Sequence, residues 1–292
     1  MAVRRVSRTP EKQGELFIVA TPIGNLADMV PRALDILQNA QLIAAEDTRH
    51  SGKLLQHFQI DTPLVAYHDY SDAAKLRQLL ARLEQGATVA LISDAGTPLI
   101  SDPGYRLVHE ARLAGIKVTP IPGPCALIAA LSASGLPSDR FSFEGFLPAK
   151  QGARTAALEA LALDQRTLIF YESPHRIEDC LADMAAAFGE ERPVVMAREL
   201  TKTFETFLRG TLQELIAQVA ADPNQRKGEI VVLVQGYRAP HNAPDITEAA
   251  RRVLMILLEE LPVKQAASLA AQITGEKKNK LYQWAIGRSV DP

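Results

Sequence analysis

Two carboxylates and two glycines lie in one short loop that directly follows an apolar run. Residues 93–104 read Ser-Asp-Ala-Gly-Thr-Pro-Leu-Ile-Ser-Asp-Pro-Gly and come straight after Thr-Val-Ala-Leu-Ile. A buried strand cannot continue through these glycines and prolines, so the chain opens here into a fixed loop. Asp94 and Asp102, beside backbone that Gly96 and Gly104 leave accessible, suit a ligand with hydroxyl groups and positive charge. An ordinary strand-to-helix turn is the alternative interpretation.

A second loop of this kind follows the apolar residues 16–20 and reads Thr-Pro-Ile-Gly-Asn-Leu-Ala-Asp over residues 21–28. Strand-like runs at 16–20, 42–45, 64–67, 88–92 and 117–121 alternate with helical stretches near 31–38, 49–57, 72–85, 104–114 and 125–134. This alternation predicts a mostly parallel sheet with helices on both faces. The two loops should therefore meet at the carboxyl edge of one sheet, where open α/β sheets bind ligands.

The pattern changes after Gly135-Leu136-Pro137-Ser138, which we interpret as a domain junction. Strand candidates follow at 167–171, 193–198, 203–209 and 229–235, and helical stretches at 248–261, 263–272 and 279–286. Residues 205–209 alternate as an antiparallel strand does, and residues 230–234 are apolar throughout, as in a strand covered on both faces. The fold class predicted is α/β with two domains and a helical extension. The boundaries are a basic tail at 1–13, a parallel-sheet domain at 14–135, a mixed-sheet domain at 136–238 and helices at 245–292.

Composition limits the classes of function. With 292 residues, 47% of them hydrophobic and 23% charged, the chain is long enough for two globular cores. A formal charge of −2 excludes a broadly basic nucleic-acid coat, so any RNA contact must use local patches. Cys125 and Cys180 match no metal-ligand spacing, which predicts a protein without metal in a reducing cytoplasm. No stretch approaches the roughly 18 apolar residues of a membrane span.

Several further motifs resemble the tetrapyrrole-methylase superfamily. They are Ala45-Glu46-Asp47-Thr48-Arg49, Ala66-Tyr67-His68-Asp69, Ile121-Pro122-Gly123-Pro124 and Phe170-Tyr171-Glu172-Ser173-Pro174-His175-Arg176. Within the superfamily, the last motif and loop 93–104 are similar to the bacterial branch that 2'-O-methylates a cytidine ribose in 16S rRNA of the small ribosomal subunit. The resemblance covers residues 14–237. Porphyrin- and corrin-modifying members carry a more glycine-rich first loop than 21–28, which counts against a tetrapyrrole substrate.

The resemblance implies S-adenosylmethionine as methyl donor, bound without metal in a cleft between the two domains of a homodimer. It places the donor contacts on Pro22, Gly24, Asp94, Gly96, Thr97, Ile100, Cys125, Ala126 and Tyr171. The sulfonium donor is already activated, so the protein needs mainly to position the reactants and remove the hydroxyl proton. That proton requires a carboxylate, histidine or lysine near the methyl group.

The candidate bases at predicted strand ends are Glu46, Asp47, His68, Asp69, Glu172, His175 and Glu199. Of these we favour Glu46 and Glu172 as the catalytic base candidates. The competing interpretation is that Glu46-Asp47-Thr48 merely caps the helix that follows, because Asp and Thr are preferred caps.

Candidate RNA contacts are of two kinds. Arg49, Arg176 and Arg198 follow the ligand loops and could clamp phosphates, although each could equally pair with a neighbouring acid. Tyr67, Tyr70 and Tyr171 could stack an unpaired cytosine. Basic residues also cluster at both ends: Arg4, Arg5, Arg8 and Lys12, and then Lys277, Lys278, Lys280 and Arg288 around Tyr282 and Trp284. Cations interleaved with aromatic rings suit RNA, and a solvated helix surface is the alternative.

Two other functions remain open at this point. The chain has no phosphate-binding glycine fingerprint and no H-E-x-x-H motif. These absences count against nucleotide hydrolysis, hydride transfer and zinc-dependent catalysis as its function. A tetrapyrrole methyltransferase would use the same fold and donor. A DNA-binding protein would use residues 263–286 as a helix-turn-helix on an inert scaffold, but this would leave the ligand loops without a purpose.

Overall fold

The computed structural model describes residues 14–68, 73–238 and 246–287. It forms two compact units, one ending at Tyr237 and the other beginning at Arg238. The predicted contacts Arg4, Arg5, Arg8, Lys12, Asp69, Tyr70 and Arg288 lie outside the described residues. None of the helices in those ranges combines the length and apolar character that a membrane span requires.

The first sheet is parallel, as predicted. Its strands are β1 (Glu15–Val19), β2 (Leu42–Ala45), β3 (Leu64–Ala66), β4 (Thr88–Ile92) and β5 (Lys117–Ile121). They lie in the order β3-β2-β4-β1-β5, and every neighbouring pair is parallel. The helices are α1 (Pro31–Asn39), α2 (Thr48–His57), α3 (Ala73–Glu84), α4 (Tyr105–Leu113) and α5 (Ala126–Ser134). One face packs against α3 and α4 and the other against α1 and α2, which confirms helices on both faces.

The second sheet is mixed. Its strands are β6 (Phe141–Phe146), β7 (Thr167–Glu172), β8 (Pro193–Arg198), β9 (Thr206–Thr211) and β10 (Ile230–Val234), in the order β6-β7-β10-β8-β9. Its helices are α6 (Gln151–Leu161), α7 (Ile177–Phe188) and α8 (Leu212–Ala221). Only β6 and β7 pair in parallel. Strand β10 is central and fully buried, and β9 is antiparallel to β8, which confirms both predictions.

Helix α5 connects the two sheets. It follows β5 of the first sheet, but Leu127, Ala130 and Leu131 pack against Ile169 and Leu233 of the second. Gly135 then ends the helix in the left-handed conformation, with φ of 76°. Because α5 covers the second sheet, its first residues lie beside the end of β7, and residues from both sheets can form one site.

The unit that begins at Arg238 contains α9 (Glu248–Glu260), α10 (Val263–Thr274) and α11 (Lys278–Gly287). Ala250, Leu254, Ala266, Ala270 and Leu281 lie in its own apolar core. The hydroxyl of Thr247 caps α9, and Gly275 ends α10 with φ of 76°. All three helices were predicted, and the small alanines let the helices approach closely.

Candidate active site

Backbone hydrogen bonds join the loops that follow β1, β4 and β5. Thr21 and Gly96 exchange N–H···O bonds of 2.9 and 3.1 Å. The hydroxyl of Thr97 donates to the carbonyl of Pro124 at 2.9 Å. Gly96 has φ of 83°, and a Cβ there would lie 3.2 Å from Cγ2 of Ile23. These contacts turn three loops into one rigid rim, as a preorganised site requires.

A cavity of about 470 Å³ lies beside this rim. Both sheets contribute to its lining, which comprises Ile23, Glu46, Asp94, Ala95, Gly96, Thr97, Ile100, Ser101, Asp102, Cys125, Ala126, Phe146, Tyr171, Glu172, Ser173, Pro174, Leu200, Gly228, Glu229, Ile230 and Val231. None of the described residues in this lining is lysine or arginine. The cavity therefore presents carboxylates on an apolar background, a combination that favours a cationic ligand over a phosphate.

Seven of the predicted donor contacts are brought together in this lining: Asp94, Gly96, Thr97, Ile100, Cys125, Ala126 and Tyr171. The other two, Pro22 and Gly24, are not. Pro22 is buried in the protein, and Ile23 takes the lining position. A Cβ on Gly24 would lie 2.5 Å from Cγ of Lys202, so this glycine allows a close approach to Lys202.

Tyr171 joins the end of β7 to the start of α5. Its hydroxyl oxygen accepts the N–H of Leu127 at 3.1 Å, and its ring packs edge-on against Phe143 with centroids 4.8 Å apart. Burial raises the pKa of Tyr171, so the phenol stays neutral at physiological pH. The other stacking candidate, Tyr67, is 2% exposed and belongs to the core of the first sheet. The prediction that Tyr67 stacks a base is therefore wrong.

Glu46, Asp94 and Asp102 form a carboxylate cluster in the cavity. Asp94 Oδ1 accepts the N–H of Asp47 at 3.0 Å, which ties the ends of β2 and β4 together. Burial raises the pKa of Glu46, and the charges of Asp102 and Asp94 raise it further. Burial also raises the pKa of Asp102, against a hydrogen bond from Ser93. A carboxylate with a raised pKa is a stronger base, so Glu46 is suited to accept a proton.

The helix cap and the candidate base are neighbouring residues with separate roles. Asp47 accepts the N–H of Arg49 at 2.8 Å and caps α2, while Glu46 lines the cavity. The capping interpretation thus applies to Asp47 and leaves Glu46 available for chemistry. Arg49 forms an ion pair with Asp47 at 3.2 Å, yet its side chain is 90% exposed, so it remains a candidate phosphate contact.

Glu172 and Arg176 form an internal ion pair at the end of β7. Glu172 Oε1 accepts the N–H of Ser173 at 2.8 Å, and Oε2 lies 3.3 Å from Nη2 of Arg176, with no part of the carboxylate side chain exposed. The same Nη2 donates to the carbonyl of Leu147 at 2.7 Å. This geometry does not support Glu172 as the base or Arg176 as a phosphate clamp. Both position the loop that follows β7.

The guanidinium of Arg198 also forms its hydrogen bonds inside the protein. Arg198 is 7% exposed and donates to the carbonyls of Lys227 and Phe204 and to the hydroxyl of Thr206. A side chain enclosed in this way cannot reach RNA phosphates, so the prediction of an RNA contact at Arg198 is wrong. The sequence showed a basic residue at a strand end, but not that the following loop folds back over it.

Glu172→Gln should destabilise the protein by about 2 kcal/mol, because Arg176 would keep its charge in a partly buried place without a counterion. Urea unfolding of the variant measures this loss. Glu178→Gln is the matched control. Glu178 forms an ion pair with Arg226, and these side chains are 52% and 33% exposed, respectively. Such an exposed pair should contribute less than about 1 kcal/mol to stability. Equal stability of the two variants would contradict a structural role for the Glu172 pair.

The segments before β9 and before β10 supply lining residues that the sequence did not indicate. Gly228 has φ of 80°, and a Cβ there would overlap the carboxylate of Glu199. Lys202 Nζ binds Glu199 Oε1 at 2.8 Å and Glu229 Oε2 at 3.0 Å. These contacts hold Leu200 and Glu229 against the cavity. No group of metal-ligating side chains suited to an ion occurs within the described ranges.

In the helical unit, two of the three predicted lysines are fully on the surface. Lys277 and Lys278 are exposed at the start of α11, and Lys280 is half-buried. Tyr282 is 38% exposed. Trp284 packs against the core, with the guanidinium of Arg251 over its ring at 5.7 Å. The exposed set therefore consists of the two lysines and Tyr282.

Residues 15–216 match the family described as Tetrapyrrole (Corrin/Porphyrin) Methylases. The chain belongs to this family. Residues 244–289 match a second family, described as the RsmI C-terminal HTH domain. The chain is 59% identical over 275 residues to a Pseudomonas aeruginosa protein named ribosomal RNA small subunit methyltransferase I, covering 94% of this chain and 98% of that one. An Escherichia coli protein of the same name is 58% identical, covering 94% and 95%.

Solved structures agree on the family fold. Uroporphyrin-III-C-methyltransferase from Thermus thermophilus is 21% identical with a TM-score of 0.54, covering 76% of this chain and 94% of its own. Cobalt precorrin-4 methyltransferase is 17% identical with a TM-score of 0.57, covering 79% and 98%. At these identities the likeness establishes the architecture of the two sheets and not the substrate.

Proposed function

We propose that this chain is an S-adenosylmethionine-dependent methyltransferase that 2'-O-methylates the ribose of a cytidine in 16S rRNA. The proposal extends to a homodimer acting in the cytoplasm, which the family resemblance supports. Two relatives at 58% and 59% identity carry the name of a small-subunit rRNA methyltransferase. The observation that carries the proposal is a carboxylate-lined cavity at the strand ends whose described lining contains no lysine or arginine.

The residues present fit the donor. S-adenosylmethionine carries a sulfonium and an ammonium group, and it supplies a methyl group already activated for transfer. Asp94 and Asp102 place negative charge in the cavity, while Ile23, Ile100 and Leu200 provide apolar surface. A cavity of about 470 Å³ lies within the usual size range of small-molecule sites. We assign Asp94, Gly96, Thr97, Ile100, Cys125, Ala126 and Tyr171 to donor binding.

Glu46 would remove the proton from the 2'-hydroxyl. Burial and the neighbouring carboxylates raise its pKa, so it holds a proton more readily than a solvated glutamate does. The rigid rim around Gly96 and Thr97 fixes the reactants, and positioning supplies much of the rate increase in such a transfer. The proton then passes from Glu46 to solvent at the open side of the cavity.

The helical unit would hold the RNA. Lys277 and Lys278 lie at the start of α11, which is the positive end of the helix dipole. Two cations at this end are unfavourable for the helix itself, but together with the dipole they attract an anionic ligand. Tyr282, on the same helix, offers an exposed ring for stacking. With a net charge of −2 for the whole chain, such local patches must supply the phosphate contacts.

Asp94→Asn should weaken S-adenosylmethionine binding about tenfold, the equivalent of about 1.4 kcal/mol. The amide keeps an oxygen that can accept the N–H of Asp47, so the variant removes the charge and preserves the tie between β2 and β4. Calorimetry measures the donor Kd. Asp35→Asn, on the exposed face of α1, serves as control, and an unchanged Kd in folded Asp94→Asn would remove Asp94 from the donor site.

The proposed function is tested with methyl-labelled donor and four acceptors: small ribosomal subunits, free rRNA, DNA and a precorrin. Label should enter the ribosomal acceptors alone, and nuclease digestion with mass spectrometry should place it on a cytidine ribose. Label in the precorrin would favour a tetrapyrrole methyltransferase, and label in no acceptor would contradict the proposal. Sedimentation of the purified protein checks the dimer.

A further inference from the structure

Phe146 is the exposed aromatic residue of the cavity. It ends β6, is 56% exposed, and lines the cavity together with Asp102 and Pro174. Tyr171 is the other aromatic side chain in the described lining, but its hydroxyl and ring are engaged with Leu127 and Phe143. Phe146 touches Tyr171 edge-on, with centroids 5.7 Å apart, and leaves more than half of its own surface accessible.

A β-bulge directs Phe146 to the cavity. In a regular strand, residues three positions apart point to opposite faces of the sheet. Here the pairing with β7 shifts between Phe143 and Gly145, so Phe143 lies opposite Ile169 and Phe146 lies opposite Tyr171. Both phenylalanines therefore share the face that α5 covers. If the pairing continued regularly from Phe143, Phe146 would lie opposite Glu172 and point to the other side of the sheet, away from the cavity.

The bulge depends on glycine and adjoins the carboxylate loop. Gly145 has φ of 67°, which strains other residues, and a Cβ there would lie 3.6 Å from Oγ of Ser101. Bulges of this type commonly redirect one side chain beside an active site. Phe143 packs in the core of the second sheet, whereas Phe146 belongs to none of the buried clusters among the described residues. The bulge thus positions a ring that contributes little to packing.

We propose that Phe146 stacks against the unpaired base of the nucleotide whose ribose is methylated. This inference rests on the proposed function. To present its 2'-hydroxyl to Glu46, the target nucleotide must leave its neighbours, and proteins compensate unstacked bases with aromatic side chains. Phe146 and Glu46 line the same cavity, so a base on the ring and a ribose at the carboxylate can belong to one nucleotide. Phe146 is then a positioning residue.

The test compares Phe146→Leu, Phe146→Trp and the control Phe141→Leu. Phe141 begins the same strand, is 39% exposed and lies outside the cavity lining. Leucine keeps the apolar surface and removes the aromatic face, so the KM for small subunits should rise about tenfold or more. The donor Kd and the melting temperature should stay at the parent values. Tryptophan should keep the KM within about threefold of the parent, because it restores a stacking face.

Three results would overturn the assignment: a parental KM in Phe146→Leu, a donor Kd that weakens as much as the KM rises, or equal losses in the leucine and tryptophan variants. The second would show that the ring holds the donor adenine instead. If the proposed function itself is wrong, the result is distinguishable from these three, because the parent protein would then transfer no label to ribosomal acceptors. In that case the assignment of Phe146 falls with it.

Discussion

Glu46→Gln should lower the rate of methyl transfer by about 10²- to 10⁴-fold, the usual contribution of a positioned general base. The amide has nearly the same shape as the carboxylate but cannot accept the hydroxyl proton. Donor binding should be retained, because Asp94 and Asp102 still supply negative charge to the cavity. Single-turnover transfer to small subunits, with donor and subunits both saturating, measures the chemical step directly.

The pH dependence of the reaction should identify the same group. Burial and the charges of Asp102 and Asp94 raise the pKa of Glu46, so the parent rate should fall on the acid side at a pH above the usual glutamate range. Glu46→Gln should lose this acid limb. Glu46→Asp keeps the charge but shortens the reach, and it should retain the limb at a lower rate.

The substitution Glu46→Gln should lower the rate of methyl transfer without lowering the stability of the folded protein. Because the pKa of Glu46 is higher in the folded than in the unfolded protein, its favourable contribution is present below the unfolded pKa and lost as pH rises through the folded pKa. Above the folded pKa the ionised carboxylate therefore opposes folding. Glu46→Gln should unfold at the same or a higher urea concentration than the parent, and the difference should vanish in acid.

Glu84→Gln, on the exposed face of α3, is the control for these measurements and should match the parent in rate and stability. A parental rate in Glu46→Gln would remove Glu46 as the base. A loss of rate that follows a loss of donor affinity would make Glu46 a donor contact, and Asp102 would then be the next candidate in the cluster.

Removal of residues 245–292 should weaken RNA binding by about tenfold to a hundredfold and leave donor binding unchanged. The truncation removes a unit with its own core, and every described cavity residue precedes Tyr237. The dependence of affinity on salt should also become weaker, by about one in the log–log slope for each phosphate that the shortened protein no longer neutralises. Filter binding to small subunits over a range of salt concentrations measures both quantities.

A double substitution localises the effect without deleting the helices. Lys277→Gln with Lys278→Gln should reproduce part of the loss and reduce the salt slope by up to about two. Lys53→Gln with Lys75→Gln removes two exposed charges from the other unit and is the matched control. If the truncated protein keeps the parental affinity and slope, the helices have a structural role, and Arg49 becomes the first RNA contact to test.

The local sequence was sufficient for most of the secondary structure. Each strand of the first sheet was predicted to within one residue at either end, because short apolar runs alternate with helical periodicity and end in glycine and proline. Strand β6 was missed, since Ser142, Glu144 and Gly145 interrupt its apolar pattern and only pairing with β7 stabilises it. The loop 93–104 was found because its glycines, prolines and aspartates are themselves the local signal.

The roles of individual side chains depended on contacts between distant segments. Glu46 and Glu172 both end buried strands, and only the fold shows that one lies in a carboxylate cluster while Arg176 neutralises the other. Arg198 is basic in the sequence but enclosed by the segment that follows it. Phe146 reaches the cavity through a bulge that no pattern of period two predicts. In the first sheet, sequence alone determined which residues end the strands, because that signal is local; burial, pairing and charge neighbours are long-range, so tertiary structure decided the chemistry of those residues.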